Sequence, residues 1–143
     1  MNIEANAGAK AFARTEIYID APPENVYRIL SDINRWPEWQ KSVSSAKVSA
    51  KPEEGTEFRW KANGMTVKSR LHTTVPARAF GWTGKVWWYR AVRNWFITPE
   101  GKGTRLIVAE SMSGMGAGLM QNMLRNSVRQ NANDLKLAAE KHI

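Results

Sequence analysis

The sequence contains no cysteine and only two histidines among its 143 residues. Without a thiol there is no disulfide framework, no thiolate nucleophile, no cysteine-ligated zinc and no redox motif. The histidines add little chemistry. His72 alternates with Lys68 and Arg70 on what reads as the outward face of a strand, and His142 stands at the C-terminal end. No HxxxH or His-plus-carboxylate spacing suggests a metal. No histidine shares a face with Ser69 or Ser111, so a serine nucleophile would lack its base. Neither a metal nor another cofactor is expected. No basic stretch followed by an apolar core opens the chain, which argues against a signal peptide. No apolar run approaches the roughly 20 residues that a transmembrane helix needs. A cytoplasmic location is the resulting expectation.

The residues that are present describe a globular chain. The hydrophobic share is 43% and the charged share 24%, close to the averages for folded domains. The length suits one domain, large enough to bury roughly 68–70% of its unfolded surface. Lys and Arg outnumber Asp and Glu by 21 to 13, a formal charge of +8, and there are seven tryptophans.

Residues 1–11 are small and polar and read as a loose arm, with the domain expected over 12–143. Phe12 to Asp20 alternates as a strand, and Ala21-Pro22-Pro23 stops it. Proline suits a helix start because its missing N–H would be unpaired there, so a short helix is expected over 23–31, followed by a short turn or helix at Trp36-Pro37-Glu38-Trp39. Strands follow: a Ser-rich edge strand at 41–51, then 56–62, 65–75, 79–86, 87–98 and 104–112. Asn63-Gly64 is a strong two-residue hairpin signal. The glycines Gly114, Gly116 and Gly118 lead into a long helix from Leu119 to about Lys141. Its apolar line Met120, Leu124, Val128, Leu135 and Ala138/Ala139 follows the 3.6-residue period. This order predicts an α+β fold with one antiparallel sheet of about seven strands packed on the last helix.

The run Ile19-Asp20-Ala21-Pro22, then Val26-Tyr27, then Asp32 and Trp36-Pro37-Glu38-Trp39, resembles the opening of the START-like superfamily. More narrowly it is similar to the polyketide cyclase/dehydrase (SRPBCC) group. Further matches are Gly55 before Phe58-Arg59-Trp60, Pro76 before Phe80-Gly81-Trp82-Thr83-Gly84, Trp95, Gly103-Thr104-Arg105, and Glu110-Ser111 ahead of Gly114. The similarity spans about residues 12 to 140. It implies a helix-grip fold, in which a curved sheet holds the C-terminal helix and leaves a cavity for lipids, polyketides or other apolar molecules. Some relatives are enzymes, some bind ligands and others act through protein partners, so fold-level analogy does not settle the function.

On that reading the ligand-binding candidates are Phe58, Trp60, Val67, Leu71, Trp82, Arg93, Trp95, Val108 and Glu110 from the sheet, with Met120 and Leu124 from the helix. Pockets for small molecules are mostly apolar with a few orienting polar groups. The alternative is that these side chains simply interdigitate as a solid core. Arg93 lies on the same face as Trp95 and Ile97 by strand alternation. A Gly101-Lys102 turn pairs Trp95 with Val108, Ile97 with Leu106, and Arg93 with Glu110. Arg93 then either grips a ligand anion or forms a structural ion pair with Glu110. Relatives often carry histidine at the Arg93 position, so the resemblance does not extend to histidine-based chemistry. Gly114 to Gly118 would let the helix start move as a gate, with Met112, Met115 and Met120 adapting to the ligand.

Binding of a small hydrophobic ligand is therefore the expected function. The first alternative is a polyketide cyclase or dehydratase using Glu110 as acid/base and Arg93 to steady an enolate. The second is an interaction module acting through Arg59, Lys61, Lys68, Arg70, Lys85 and Arg90 on the outward sheet face. No nucleic-acid motif is present, and a nucleic-acid partner is not expected. Trp88, Val92 and Phe96 alternate with the inward set. They read as an outer apolar stripe, suited to a homodimer contact or to cover by the N-terminal arm.

Overall fold

Seven strands form one antiparallel sheet in the computed structural model, which describes residues 3–141. In chain order the elements are β1 (Ala11–Ile19), α1 (Pro23–Ser31), a 3-10 turn (Ile33–Glu38), β2 (Val43–Val48), β3 (Glu57–Ala62), β4 (Met65–Val75), β5 (Ala79–Val86), β6 (Tyr89–Glu100), β7 (Gly103–Ser113), a second 3-10 turn (Ala117–Met120) and α2 (Gln121–Lys141). The sheet order is β1-β7-β6-β5-β4-β3-β2. Hairpins join every neighbour from β2 to β7, while β1 adds to the far edge along β7. The curved sheet wraps α2, which packs on β1, β7 and α1. This is the expected helix-grip architecture.

The core lies between the sheet and the helices, and one aromatic group dominates it. Trp36 is fully buried and meets Phe58 and Trp60 edge-on, with ring centroids 5.5 and 5.4 Å away. Its ring is tilted against Trp82 at 5.0 Å, and its indole N–H donates to the Leu30 carbonyl at 2.9 Å. Edge-on aromatic contacts of this kind add to the burial of the rings themselves. They anchor the segment after α1 to β3 and β5.

The β6–β7 register pairs Trp95 with Val108, Ile97 with Leu106 and Arg93 with Glu110, as the turn position predicts. The Asn63-Gly64 turn also forms, with both residues at positive φ, 51° and 79°. The long helix begins later than its apolar line suggests. Met120 belongs to the 3-10 turn, and α2 proper starts at Gln121.

Two expectations are corrected by the β-strand geometry. Leu71 pairs with Trp82 but Thr73 pairs with Gly81, so His72 is an extra residue in a β-bulge. A bulge sets two residues against one and shifts the alternation beyond it. Thr73 therefore joins the outer face, and His72 is buried rather than exposed, at 5% relative exposure. Its ring packs over Gly81, where a Cβ would stand 2.6 Å from His72 Cε1 and 2.9 Å from the Arg93 carbonyl oxygen. The second correction concerns Trp87 and Trp88. They form the β5–β6 turn instead of opening β6, and are 69% and 63% exposed. Trp87 therefore does not face inward, and Trp88 does not lie on a strand face.

Burial lowers the His72 pKa below its ordinary value. The unfolded chain therefore takes up this proton before the folded one does. Stability rises with pH between the depressed folded value and the ordinary value of about 6.5, and falls as the pH drops through that window. His72→Gln flattens this slope, a change readable as the urea midpoint at neutral pH against the midpoint at mildly acidic pH.

Residues 3–6 lie on the outer face of the sheet. The Ala5 N–H donates to Asn94 Oδ1 at 2.7 Å, and Asn94 Nδ2 donates to the Ile3 carbonyl at 2.7 Å. The Asn6 N–H donates to Ser111 Oγ at 3.0 Å. The segment expected to be loose is thus hydrogen-bonded across β6 and β7 from Ile3 to Asn6. The His142 position lies outside the described residues.

Candidate functional site

The inward side chains fall into cross-strand rows, and the rows explain where space remains. Leu71, Trp82, Arg93 and Glu110 stand opposite one another across β4 to β7. The next row toward the β6–β7 turn carries Phe80, Trp95 and Val108, all buried in the core. The row on the other side carries Ser69, Gly84, Ala91 and Met112. Gly84 and Ala91 carry little or no side chain, and a cavity of about 80 Å³ that they help to line is left between this row and α2.

Of the sequence-derived candidates, Trp60, Val67, Trp82, Arg93, Glu110, Met120 and Leu124 line this cavity. Phe58, Leu71, Trp95 and Val108 do not; they are buried core residues outside its lining. Their inward orientation is as expected, but alternation says only which face a residue is on. It does not say how far along the strand the helix closes over it. Sequence reasoning missed Ala91, Gly84, Tyr89, Met65 and Ser127 as lining residues. The signal for the first two was present as a pair of small residues at paired inward positions of neighbouring strands.

Arg93 and Glu110 are the polar fixtures. The Arg93 side chain is 3% exposed and that of Glu110 12%. Arg93 Nε donates to Glu110 Oε1 at 2.5 Å and Nη1 to Asn131 Oδ1 at 2.7 Å. Nη2 reaches Ser127 Oγ at 3.4 Å. Asn131 is held in turn by Ser127, whose hydroxyl donates to Asn131 Oδ1 at 3.3 Å, and it donates through Nδ2 to Ser42 Oγ at 3.4 Å. All three guanidinium nitrogens are thus engaged, and the helix α2 supplies two of the partners. Glu110 Oε2 accepts no hydrogen bond among the described residues, which leaves one carboxylate oxygen for whatever occupies the cavity.

Chemically, this arrangement is a neutral ion pair at the side of an apolar space. The lining holds no second carboxylate and no histidine. His72 packs over Gly81 on the opposite face of the sheet and takes no part. No group of three or more His, Asp or Glu side chains that could hold a metal occurs among the described residues.

The cavity reaches toward the end of the sheet carrying the Asn63-Gly64 and Trp87-Trp88 turns, with Asn63, Val86 and Tyr89 in its lining. Met65, Met112, Met120 and Met123 also line it. The glycines before α2 take positive φ here, with Gly114 at 125° and Gly116 at 78°, conformations that favour glycine. A Cβ at Gly114 would also stand 3.1 Å from the Trp88 carbonyl oxygen.

A larger concavity, about 1020 Å³, lies on the outer face of the sheet. Lys47, Arg59, Lys68, Arg70, Lys85 and Arg90 surround it. The expected outer apolar stripe is interrupted. Val92 and Phe96 are half-buried on the strand that the arm crosses, whereas Trp88 stands apart in its turn.

This chain is similar in fold to several solved structures. A hypothetical protein of Helicobacter pylori superposes with a TM-score of 0.82 at 15% identity, covering 97% of this chain and 98% of that one. A START superfamily protein of Mycobacterium smegmatis gives 0.80 at 13% identity, covering 92% and 99%. A protein of Thermus thermophilus gives 0.67 at 25% identity, covering 91% and 94%. Among curated proteins, none is significantly similar in sequence. No described helix is long and apolar enough to cross a membrane. A family model described as polyketide cyclase / dehydrase and lipid transport matches residues 11–140, nearly the whole chain. On that match, with the seven-stranded sheet closed on α2, the chain belongs to the polyketide cyclase / dehydrase and lipid transport family.

Proposed function

We propose that this protein binds a small, neutral, hydrophobic molecule carrying a hydroxyl or another hydrogen-bond donor, in the space between the sheet and α2. The observation that carries this reading is Glu110 Oε2. A buried ion pair is costly unless its remaining lone pairs are satisfied. Glu110 lines the apolar cavity, its Oε1 is taken by Arg93, and its Oε2 has no protein donor among the described residues. A ligand hydroxyl would satisfy it. An anionic ligand fits less well, because Arg93 is already neutralised by Glu110 and occupied by Asn131.

The cavity of about 80 Å³ is smaller than the roughly 150 Å³ that holds a benzene ring. Occupation by a larger molecule therefore requires the lining to yield. Four methionines are part of it, and their unbranched, polarisable side chains repack at low cost. Trp60, Val67, Trp82 and Leu124 would then contact the apolar body of the ligand. The lining holds a single carboxylate and no histidine to act as a base toward Ser127, which supports binding rather than turnover.

Native mass spectrometry with decan-1-ol tests the reading. A one-to-one adduct is expected with the wild type, and is lost in Ala91→Trp, which fills the small-residue row. The absence of any adduct, or an adduct that persists unchanged in Ala91→Trp, would overturn it.

A further inference from the structure

The positive charge of this chain is organised, and the organisation opposes sheet stability. On the outer face, Lys47 pairs with Arg59, Arg59 with Lys68, Lys68 with Lys85, and Lys85 with Arg90. Five cations thus form one continuous row across five strands. Like charges directly opposite one another destabilise a sheet. None of the five forms an ion pair among the described residues; the nearest surface pair, Arg70–Glu57 at 3.0 Å, belongs to the adjacent row. The surrounding sequence offers little relief, because no Asp or Glu occurs between Phe58 and Pro99 or between Ser111 and Asn133. Glu57 borders the same concavity but is paired with Arg70. The other carboxylates lie toward the β6–β7 turn, around α1, in the β2–β3 loop, in the arm and in the second half of α2, while Glu110 is paired with Arg93 on the inner face.

At the same end of the sheet, two segments distant in sequence place large apolar side chains in solvent. Trp87 and Trp88 form one, stacked with ring centroids 6.0 Å apart. Met115 and Leu119 form the other, 86% and 89% exposed. The Trp88 indole N–H donates to the Met115 carbonyl at 2.8 Å and ties the two segments into one patch. The turn itself is strained. Trp87 has φ 55°, a region where a bulky residue is an outlier and glycine is the default. Both the exposed rings and the backbone run against what stability alone would select.

We infer that this end of the molecule docks on an anionic lipid bilayer, with Trp87, Trp88, Met115 and Leu119 entering the interface and the Lys47–Arg90 row lying against acidic headgroups. Trp at the rim beside a cluster of Lys and Arg is the chemistry of a membrane–water interface. A single-stranded nucleic acid would need aromatic faces among the cations for its bases to stack on. Here the aromatics are segregated to the rim, stacked on one another, and accompanied by Met and Leu, so the bilayer is the better fit. Docking in this orientation would set the end of the cavity near Asn63, Val86 and Tyr89 toward the lipid. The inference does not depend on the cavity taking a ligand.

Co-sedimentation with vesicles of phosphatidylcholine alone, and of phosphatidylcholine with phosphatidylglycerol, tests it. Binding is expected to the anionic vesicles only and to weaken with added salt. It should fall at least about tenfold in Lys68→Gln/Lys85→Gln, from the loss of two cations near the surface, and comparably in Trp87→Ser/Trp88→Ser. Lys102→Gln, at the opposite end of the sheet, leaves it unchanged. Brominated lipids are expected to quench the wild type more than the double-serine variant, which reads insertion directly. Vesicle binding that is absent, or that survives both double variants, would overturn the inference. So would tight binding to a mixed-sequence oligonucleotide without binding to vesicles.

Discussion

Arg93→Met is expected to lower the unfolding free energy by about 3–5 kcal/mol, the usual cost of breaking a buried ion pair from one side. The methionine fills much of the same volume, so the loss is electrostatic rather than a packing defect. It leaves the Glu110 carboxylate enclosed, with its hydrogen bond from Arg93 gone, and it removes the shorter of the two hydrogen bonds to Asn131 Oδ1, leaving that from Ser127. The measurement is the urea midpoint at neutral pH, compared among Arg93→Met, Glu110→Leu and the double variant. Removing both charges leaves neither unpaired, and such replacements are often neutral or stabilising, so the double variant should recover most of the loss. If Arg93→Met costs less than about 1 kcal/mol, the level of an exposed pair, the pair is not the enclosed structural fixture described above. Recovery of stability in the double variant with loss of decan-1-ol binding would separate the structural role of the pair from its proposed role toward a ligand.

Trp36→Ala is expected to cost about 3–5 kcal/mol, the range for removing a buried aromatic ring. Trp36 contacts Phe58, Trp60 and Trp82 at once, on strands β3 and β5, and its indole N–H satisfies the Leu30 carbonyl at the end of α1. The alanine variant therefore loses the ring, its edge-on contacts and a buried hydrogen bond together. Against a total stability of about 5–15 kcal/mol, this is enough to raise the unfolded population by orders of magnitude. Trp36→Phe keeps the apolar contact but not the indole donor and should fall between the two. A midpoint for Trp36→Ala equal to that of the wild type would mean that the segment after α1 is not anchored by this ring.

Much of the site was legible because strand pairing turns local pattern into long-range geometry. The Gly101-Lys102 turn and the alternation beside it brought Arg93 opposite Glu110 across seventeen positions of sequence. The family resemblance rested on residues the structure uses heavily, Trp36 above all. The partners of Arg93 on α2 were not legible. Asn131 and Ser127 sit on a helix whose rotation against the sheet is set by the whole apolar interface, and nothing local to them signals a guanidinium. The bulge at His72 was invisible for a similar reason. A bulge changes the register by one residue without altering composition, and here it turned an apparently exposed histidine into a buried one.

By itself, the amino-acid sequence determined the element order, the strand alternation, the Asn63-Gly64 and Gly101-Lys102 turns and, through the latter, the pairing of Arg93 with Glu110. These depend on turn chemistry and a period-two pattern, which act over a few residues. Only the tertiary structure decided which inward residues line the cavity and which lie in the core around it. It also decided that His72 is buried, that Trp87 and Trp88 project from a turn, and that five cations share one row. Each of those depends on where distant segments come to rest: the depth at which α2 closes over the sheet, the path of the arm, and the register carried from strand to strand. Burial and charge alignment are properties of that assembly, and no window of local sequence contains them.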